Sequence, residues 1–211
     1  MFGLFEKKAD SVELEPEVLQ RQLITIEKVS RLLISGTSLD SLLSEIATAI
    51  SDIAGVSLVA ILISNEEDKK LHLSKTSIPK AAETFVETVT GKKIKEIIYP
   101  TIDPNNLFTK AIETKTIQKS ADVVNALTPL MNPIEAGILV NIVRYQIKLL
   151  VVVPMVVNKK VHGVIALGWK QSVLPHTEKA ILTTFANQAA IGIENAGYLD
   201  QITEQLDQLE N

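Results

Sequence analysis

Two long apolar runs near the end of the chain place the tightest limit on what it can fold into. Residues 149–157 and 161–169 are rich in β-branched side chains, and only the polar segment 158–160 separates them. This pattern predicts an antiparallel β-hairpin. Because side chains alternate along a strand, apolar residues at nearly every position make both faces of the hairpin apolar. An antiparallel sheet on a single core usually keeps one polar face, so this sheet is predicted to be covered on both sides.

Pro154 lies in the middle of the first run. Proline cannot donate to a β-ladder, so it predicts either a bulge or a locally unpaired edge at this point. The alternatives are a plain strand irregularity and a bulge that opens the sheet toward a ligand.

The rest of the chain predicts an α+β domain: a central antiparallel sheet with helices on both faces and long N- and C-terminal helices. Ser38 is placed to cap the second helix, and the segment 122–144 is predicted to be a loop followed by a helix from about residue 133. We expect a loosely ordered N-terminus over 1–15, one folded domain over 16–198 and the start of a coiled coil over 199–211. Helices are predicted at 16–34, 39–54, 80–89, 105–114 and from Pro175 onward, and further strands at 56–64, 70–77, 94–99 and 117–119.

Composition excludes several classes of function. The chain has no cysteine, which excludes disulfides, thiolate metal sites, a cysteine nucleophile and a thioether-linked chromophore. The net charge is −4 and the basic residues are scattered, so we expect no nucleic-acid partner. No apolar run reaches the roughly 18–20 residues that span a bilayer, and the N-terminus lacks the pattern of a secretory signal. A cytoplasmic protein without a transmembrane segment is therefore predicted.

Three segments resemble the GAF domain family of small-molecule sensors, and the resemblance covers roughly residues 24–198. They are SLDSLLSEIATAISDIAGVSLVAILI, NLFTKAIETKTIQKSADV and YQIKLLVVVPMVVNKKVHGVIALGW. Asp122 stands at the family's Asp, and Pro154 and Gly163 match the proline and glycine of its hairpin. Lys115 stands where many members have glycine, so the turn there is expected to differ. The resemblance implies the fold and, less directly, a ligand.

The resemblance also implies which family activities are missing. Members that reduce free methionine sulfoxide, and members that attach a bilin covalently, use cysteines, and this chain has none. The cyclic-nucleotide signature of the family is not recognisable. We therefore expect no enzymatic activity and predict no particular cofactor.

The candidate ligand-binding residues are Asn141, Arg144, Tyr145 and His162. The first three precede the hairpin, together with Asn125, Asn132 and Glu135, which are further polar candidates for a pocket. Arg144 and Tyr145 have an alternative role at the end of a helix, where a cation is favourable. His162 has an alternative role as a core or rim histidine hydrogen-bonded to a neighbour.

His72 is expected to be solvated and His176 to be exposed at the start of the last helix. The histidines do not show metal-ligand spacing, and no metal site is predicted.

The final helix predicts association. Its last turns carry the 3-4-3 spacing of a two-stranded coiled coil, and the first helix carries a second apolar stripe. We therefore predict a homodimer and a non-catalytic sensory module that relays a signal to a downstream domain, such as the histidine kinase of a two-component system. The alternatives are a ligandless dimerisation scaffold, a small-molecule enzyme on the same fold, and a terminal helix that packs on its own domain. The two stripes are Leu199, Ile202, Leu206 and Leu209, and Leu19, Ile26, Val29 and Leu33.

Overall fold

A curled six-stranded antiparallel sheet forms the centre of the protein, in the order β3-β2-β1-β6-β5-β4. The computed structural model describes residues 16–53, 55–77, 80, 83–84, 87–88, 91, 93, 96, 98–100, 103–127 and 147–210. The strands are β1 (Val56–Asn65), β2 (Lys70–Thr76), β3 (Ile98–Pro100), β4 (Gln118–Ser120), β5 (Leu149–Val157) and β6 (Lys160–Trp169). The predicted α+β class with a central antiparallel sheet is confirmed.

Helices cover both faces of this sheet. The Ser38 side chain accepts a hydrogen bond from Ser41 N at 3.3 Å, which confirms the predicted cap of the second helix. That helix ends at Ser51, three residues earlier than expected. The helices are α1 (Pro16–Ile34), α2 (Leu39–Ser51), α3 (Leu107–Thr114), α4 (Val123–Leu127) and α5 (His176–Glu210). The described residues of the predicted 80–89 helix are also helical.

The central hairpin is buried on both faces, as its alternating apolar residues predict. Val151 and Val153 pack into a first core beneath α1, α2 and α5, whereas Leu150 and Val152 pack into a second core with residues of α3 and α4. None of these four side chains is more than 3% exposed. The two-faced apolarity of β5 is therefore the reason that the domain has helices on both sides of its sheet.

The hairpin turn consists of two residues, Asn158 and Lys159, with φ of 49° and 64°. Positive φ at both central positions is the requirement of a type I′ turn, which matches the twist of the flanking strands. Pro154 pairs with Val164, and β4 pairs only with Leu150–Val152, so β5 has passed the end of β4 at the proline. The predicted irregularity is one residue further on, between Met155 and Val156.

Three local expectations were wrong. Lys115 adopts φ 55° and ψ 30°, the left-handed conformation that glycine favours. The backbone of this turn is therefore the one expected for glycine, although the turn was expected to differ. Glu96 donates its backbone N–H to Lys93 O at 2.8 Å in a turn, and β3 starts only at Ile98. Val123–Leu127 forms a short helix where a loop was expected, because Asp122 accepts a hydrogen bond from Asn125 N at 3.1 Å.

The apolar stripe of α1 is used inside the chain. Val29 is fully buried, and Ile26 and Leu33 pack against the first core, whereas the side chain of Leu19 lies outside the described residues. Gln188 of α5 donates to Ser30 Oγ at 2.6 Å. The described part of the α1 stripe (Ile26, Val29 and Leu33) therefore packs inside the chain and does not remain free for a partner.

The 35-residue α5 has two different parts. Leu182, Phe185 and Ala189 are at most 1% exposed beneath the sheet. Beyond the domain, Leu199, Ile202 and Leu206 are 65%, 52% and 55% exposed. Among the described residues, no helix combines the length and apolarity needed to cross a membrane.

Candidate functional site

His162 occupies a bulge in β6. Met155 pairs with Gly163 and Val156 with Val161, so His162 is the extra residue between the two pairs. Gly163 has φ +152°, and a Cβ built on it would lie 2.1 Å from Leu62 O. The close approach of β1 therefore requires glycine here, and the bulge sets the direction of the neighbouring histidine.

The imidazole of His162 is buried beside a carboxylate of α5. The side chain is 8% exposed, and its Nε2 has no hydrogen-bond partner among the described residues. Glu194 Oε1 lies 3.8 Å away, beyond hydrogen-bond length. Burial, with a smaller contribution from Lys160, lowers the pKa of His162, although Glu194 and Glu66 act in the opposite direction. The ring is therefore neutral near pH 7 and carries an unused polar atom.

Glu194 also connects the hairpin turn to α5. Asn158 Nδ2 donates to Glu194 Oε2 at 3.2 Å, and the Glu194 side chain is only 16% exposed. Lys160 pairs with Glu66 on the β1–β2 turn, and this pairing raises the pKa of Lys160. The tips of both hairpins and α5 thus meet in one polar cluster at the point where the helix leaves the sheet.

The second core contains polar atoms next to aromatic rings. Tyr99 stacks on Phe108 with the ring centroids 3.9 Å apart, and its hydroxyl donates to Ala126 O at 3.0 Å. Burial raises the pKa of Tyr99 well above its usual value. Thr109 is 5% exposed, and its Oγ1 has no partner among the described residues. An unused buried hydroxyl is the kind of group that a ligand or a bound water satisfies.

Of the four candidate ligand-binding residues, the structure locates only His162. Asn141, Arg144 and Tyr145 lie outside the described residues, as do Asn132 and Glu135. Asn125 is exposed on α4. The ligand-binding role of the four residues stays a prediction.

The histidines do not come together. His72 pairs with Asp68 at 2.8 Å and remains partly exposed, and His176 is exposed at the start of α5, as expected. His162 Nε2 makes no hydrogen bond with any described residue, so the alternative role of a histidine bonded to a neighbour is not seen at this atom, and its ligand-binding role stays a prediction. In the part of the chain that the structure describes, no three His, Asp or Glu side chains are grouped as metal ligands.

Sequence reasoning missed Glu194, Tyr99 and Thr109. Glu194 is a charged residue directly after the buried stripe of α5, and that position was the available signal. Nothing in the sequence indicates that Tyr99 and Thr109 are buried, because the strand and the helix that carry them are short.

The GAF domain profile matches residues 36–194, which is more than half of the chain. The chain belongs to the GAF domain family. Proteins of this family are typically regulatory, and many bind ligands and form dimers. A comparison with curated proteins finds no significant match.

Solved structures share the GAF fold at low sequence identity. The GAF domain of an Acinetobacter phosphoenolpyruvate-protein phosphotransferase has a TM-score of 0.63 at 15% identity and covers 88% of this chain and 97% of its own. Residues 122 to 287 of a methyl-accepting chemotaxis protein have a TM-score of 0.58 at 19% identity and cover 83% and 98%. The fRMsr of Staphylococcus aureus, in complex with its substrate, has a TM-score of 0.54 at 12% identity and covers 82% and 95%. The GAF fold therefore occurs in both signalling proteins and an fRMsr, and the likeness carries only the fold to this chain.

Proposed function

We propose that this GAF domain is a non-catalytic sensory and dimerisation module. It binds a small molecule or a partner, and its C-terminal helix relays the event to an output domain, such as a histidine kinase. The ligand site involves His162 together with Asn141, Arg144 and Tyr145. The observation that carries the proposal is the division of α5 into a buried first half and a second half with an exposed apolar stripe.

The exposed stripe fits a second copy of the same helix. Leu199, Ile202 and Leu206 recur at 3-4 spacing, which aligns side chains along one seam of a coiled coil. The stripe lies beyond the last contacts of α5 with the sheet, so its own domain does not cover it. Fully burying each such side chain contributes about 1.5–3 kcal/mol, which favours association. A parallel pair places both C-termini together, as entry into one shared output domain requires.

The exit of α5 from the domain adds a further apolar surface. Ile34 is 87% exposed and lines a groove of about 470 Å³ with Tyr198 and Leu199, between the α1–α2 turn and α5. The groove is continuous with the stripe, so side chains of the partner helix can extend the dimer contact onto the domain. This continuity supports coupling between the domain and the paired helices.

Sedimentation velocity tests the dimer. Changing both Ile202 and Leu206 to Asp removes two buried apolar groups and brings like charges together, so we expect the dimer at tens of micromolar protein to become a monomer. The matched control changes Gln201 and Gln208 to Asp, on the opposite side of the same helix, and should keep the dimer. Circular dichroism confirms that both variants keep the sheet. A parent protein that is monomeric, or a double Asp variant that is still dimeric, would contradict the proposal.

A ligandless dimerisation scaffold is the second candidate. Its support is the filling of the second core by large side chains, including Leu62, Leu71 and the Tyr99–Phe108 stack. Native mass spectrometry of protein purified from its own host distinguishes the two candidates, because a retained small molecule supports the sensor and its absence in a folded dimer supports the scaffold.

A further inference from the structure

A cleft on the α2 side of the sheet is unusually rich in hydroxyl groups. It has a volume of about 520 Å³ and lies between α2, the ends of β1 and β2, and the residue after β6. The sheet separates it from the second core. Six of the ten lining residues are Ser or Thr, two are lysines, and none of them carries a carboxylate.

Three hydroxyl groups of α2 present acceptor oxygens to the cleft. Ser44 and Thr48 donate to Asp40 O and Ser44 O at 2.8 and 2.9 Å, and Ser51 donates to Ala47 O at 2.8 Å. Ser57 donates to Gly168 O at 3.1 Å. Each hydroxyl has a single proton and two acceptor lone pairs, so Ser44, Thr48 and Ser51 have used their proton and offer oxygen lone pairs to the cleft. A ligand that carries several O–H donors matches such a surface.

The two lysines bring positive charge to the cleft. Lys75 pairs with Asp40 at 2.5 Å, and its side chain is 22% exposed, so its charge is compensated and its position is held. Lys170 is exposed and forms no ion pair with any described residue. The cleft therefore has one uncompensated positive charge, which favours a ligand with one anionic group.

The backbone around the cleft supports a preformed site. β1 shifts register between Val56 and Leu58, which leaves Ser57 as the bulged residue that faces the cleft. Such bulges re-aim side chains and are frequent beside functional sites. Behind the cleft, Leu43 and Ile50 of α2 are almost fully buried in the first core, so the helix that forms the cleft wall is anchored to the sheet.

We propose that this cleft binds a small polyhydroxylated anion, a polyol or sugar with one terminal acidic group. Lys170 holds the acidic group, and the Ser44–Thr48–Ser51 face of α2 accepts hydrogen bonds from the ligand hydroxyls. The proposed dimer relay is not needed for this binding, and the two are measured separately. A ligand here would press on α2, which lies close against α5: a Cβ built at Gly192 would be 2.2 Å from Leu42 Cδ2.

Isothermal titration calorimetry with the full chain tests the site. The probes are gluconate and glucose 6-phosphate, which carry a carboxylate and a phosphate as the acidic group. The control ligands are sorbitol, which lacks the acidic group, and inorganic phosphate, which lacks the polyol. We expect at least one of the two probes to bind with a submillimolar Kd. Sorbitol and phosphate should be at least about tenfold weaker, because each loses the charged or the hydroxyl contacts.

Variants locate the binding. Lys170→Ala should weaken the bound probe about tenfold or more. Thr48→Trp, at an exposed position of the cleft wall, should block it. Lys119→Ala, on the opposite edge of the sheet, should bind like the parent. The proposal is overturned if neither probe binds below about 10 mM, if phosphate binds as tightly as the probes, which would indicate an adventitious ion only, or if Lys170→Ala leaves the affinity unchanged.

Discussion

Replacing Gly163 with Ala tests the role of the β6 bulge. The new Cβ would lie 2.1 Å from Leu62 O, 2.7 Å from Met155 Cε and 2.9 Å from Ile63 Cα. Two of these atoms are backbone of the adjacent central strand and cannot rotate away. The backbone also has φ +152°, which L residues rarely adopt. Strain of about 1–3 kcal/mol from the backbone and a similar cost from overpacking give an expected loss of about 2–6 kcal/mol.

A second glycine provides the matched control. A Cβ at Gly197 meets nothing within 4 Å, and the residue lies inside α5. Gly197→Ala should therefore stabilise the protein by about 0.5–1 kcal/mol through helix propensity. Urea unfolding followed by circular dichroism measures both changes. In thermal scans, Gly163→Ala should lower Tm by about 4–24 °C. If Gly163→Ala unfolds within about 1 kcal/mol of the parent, the close approach between β1 and β6 is not as described.

Two further changes test the polar contacts. Because burial lowers the pKa of His162, the unfolded state takes up the proton first, so the stability contributed by the neutral ring is present above about pH 6.5 and is lost as the pH falls. In urea unfolding from pH 8 to pH 5, the parent should lose stability relative to His162→Gln on the acid side, and a pH-independent difference would contradict this. Asn106→Ala should lower the free energy of unfolding by about 1–2 kcal/mol, because the buried Asn106 side chain accepts a hydrogen bond from Phe108 N at 2.8 Å. Ser38→Ala removes an exposed cap with a hydrogen bond of 3.3 Å, so it should lower the free energy of unfolding by less than about 1 kcal/mol in the same assay. Equal losses in the two variants would show that burial of the cap does not matter.

Part of the candidate site could be predicted because its signals are local. The short connector at Asn158 indicates the hairpin tip, and the apolar run around His162 indicates that the histidine is buried. The contact of His162 with Glu194 could not be predicted, because 3.8 Å between residues far apart in sequence depends on how α5 crosses the sheet. The hydroxyl cleft is similar, since Ser57, Lys75 and Lys170 meet only through the order of the strands.

The sequence by itself determined the elements whose side-chain period is strong. The apolar residues on both faces of β5 and β6 required a core on each side of the sheet. The long helical pattern after Pro175 required a helix that extends beyond its domain. Only the tertiary structure decided the short strands β3 and β4. Three residues are too few to show an alternating pattern, and each strand is fixed by its pairing with β2 or β5. It also decided that the α1 stripe packs on α5 while Leu199, Ile202 and Leu206 stay exposed. Both stripes have the same local pattern, and what separates them is whether another element of the chain lies within reach.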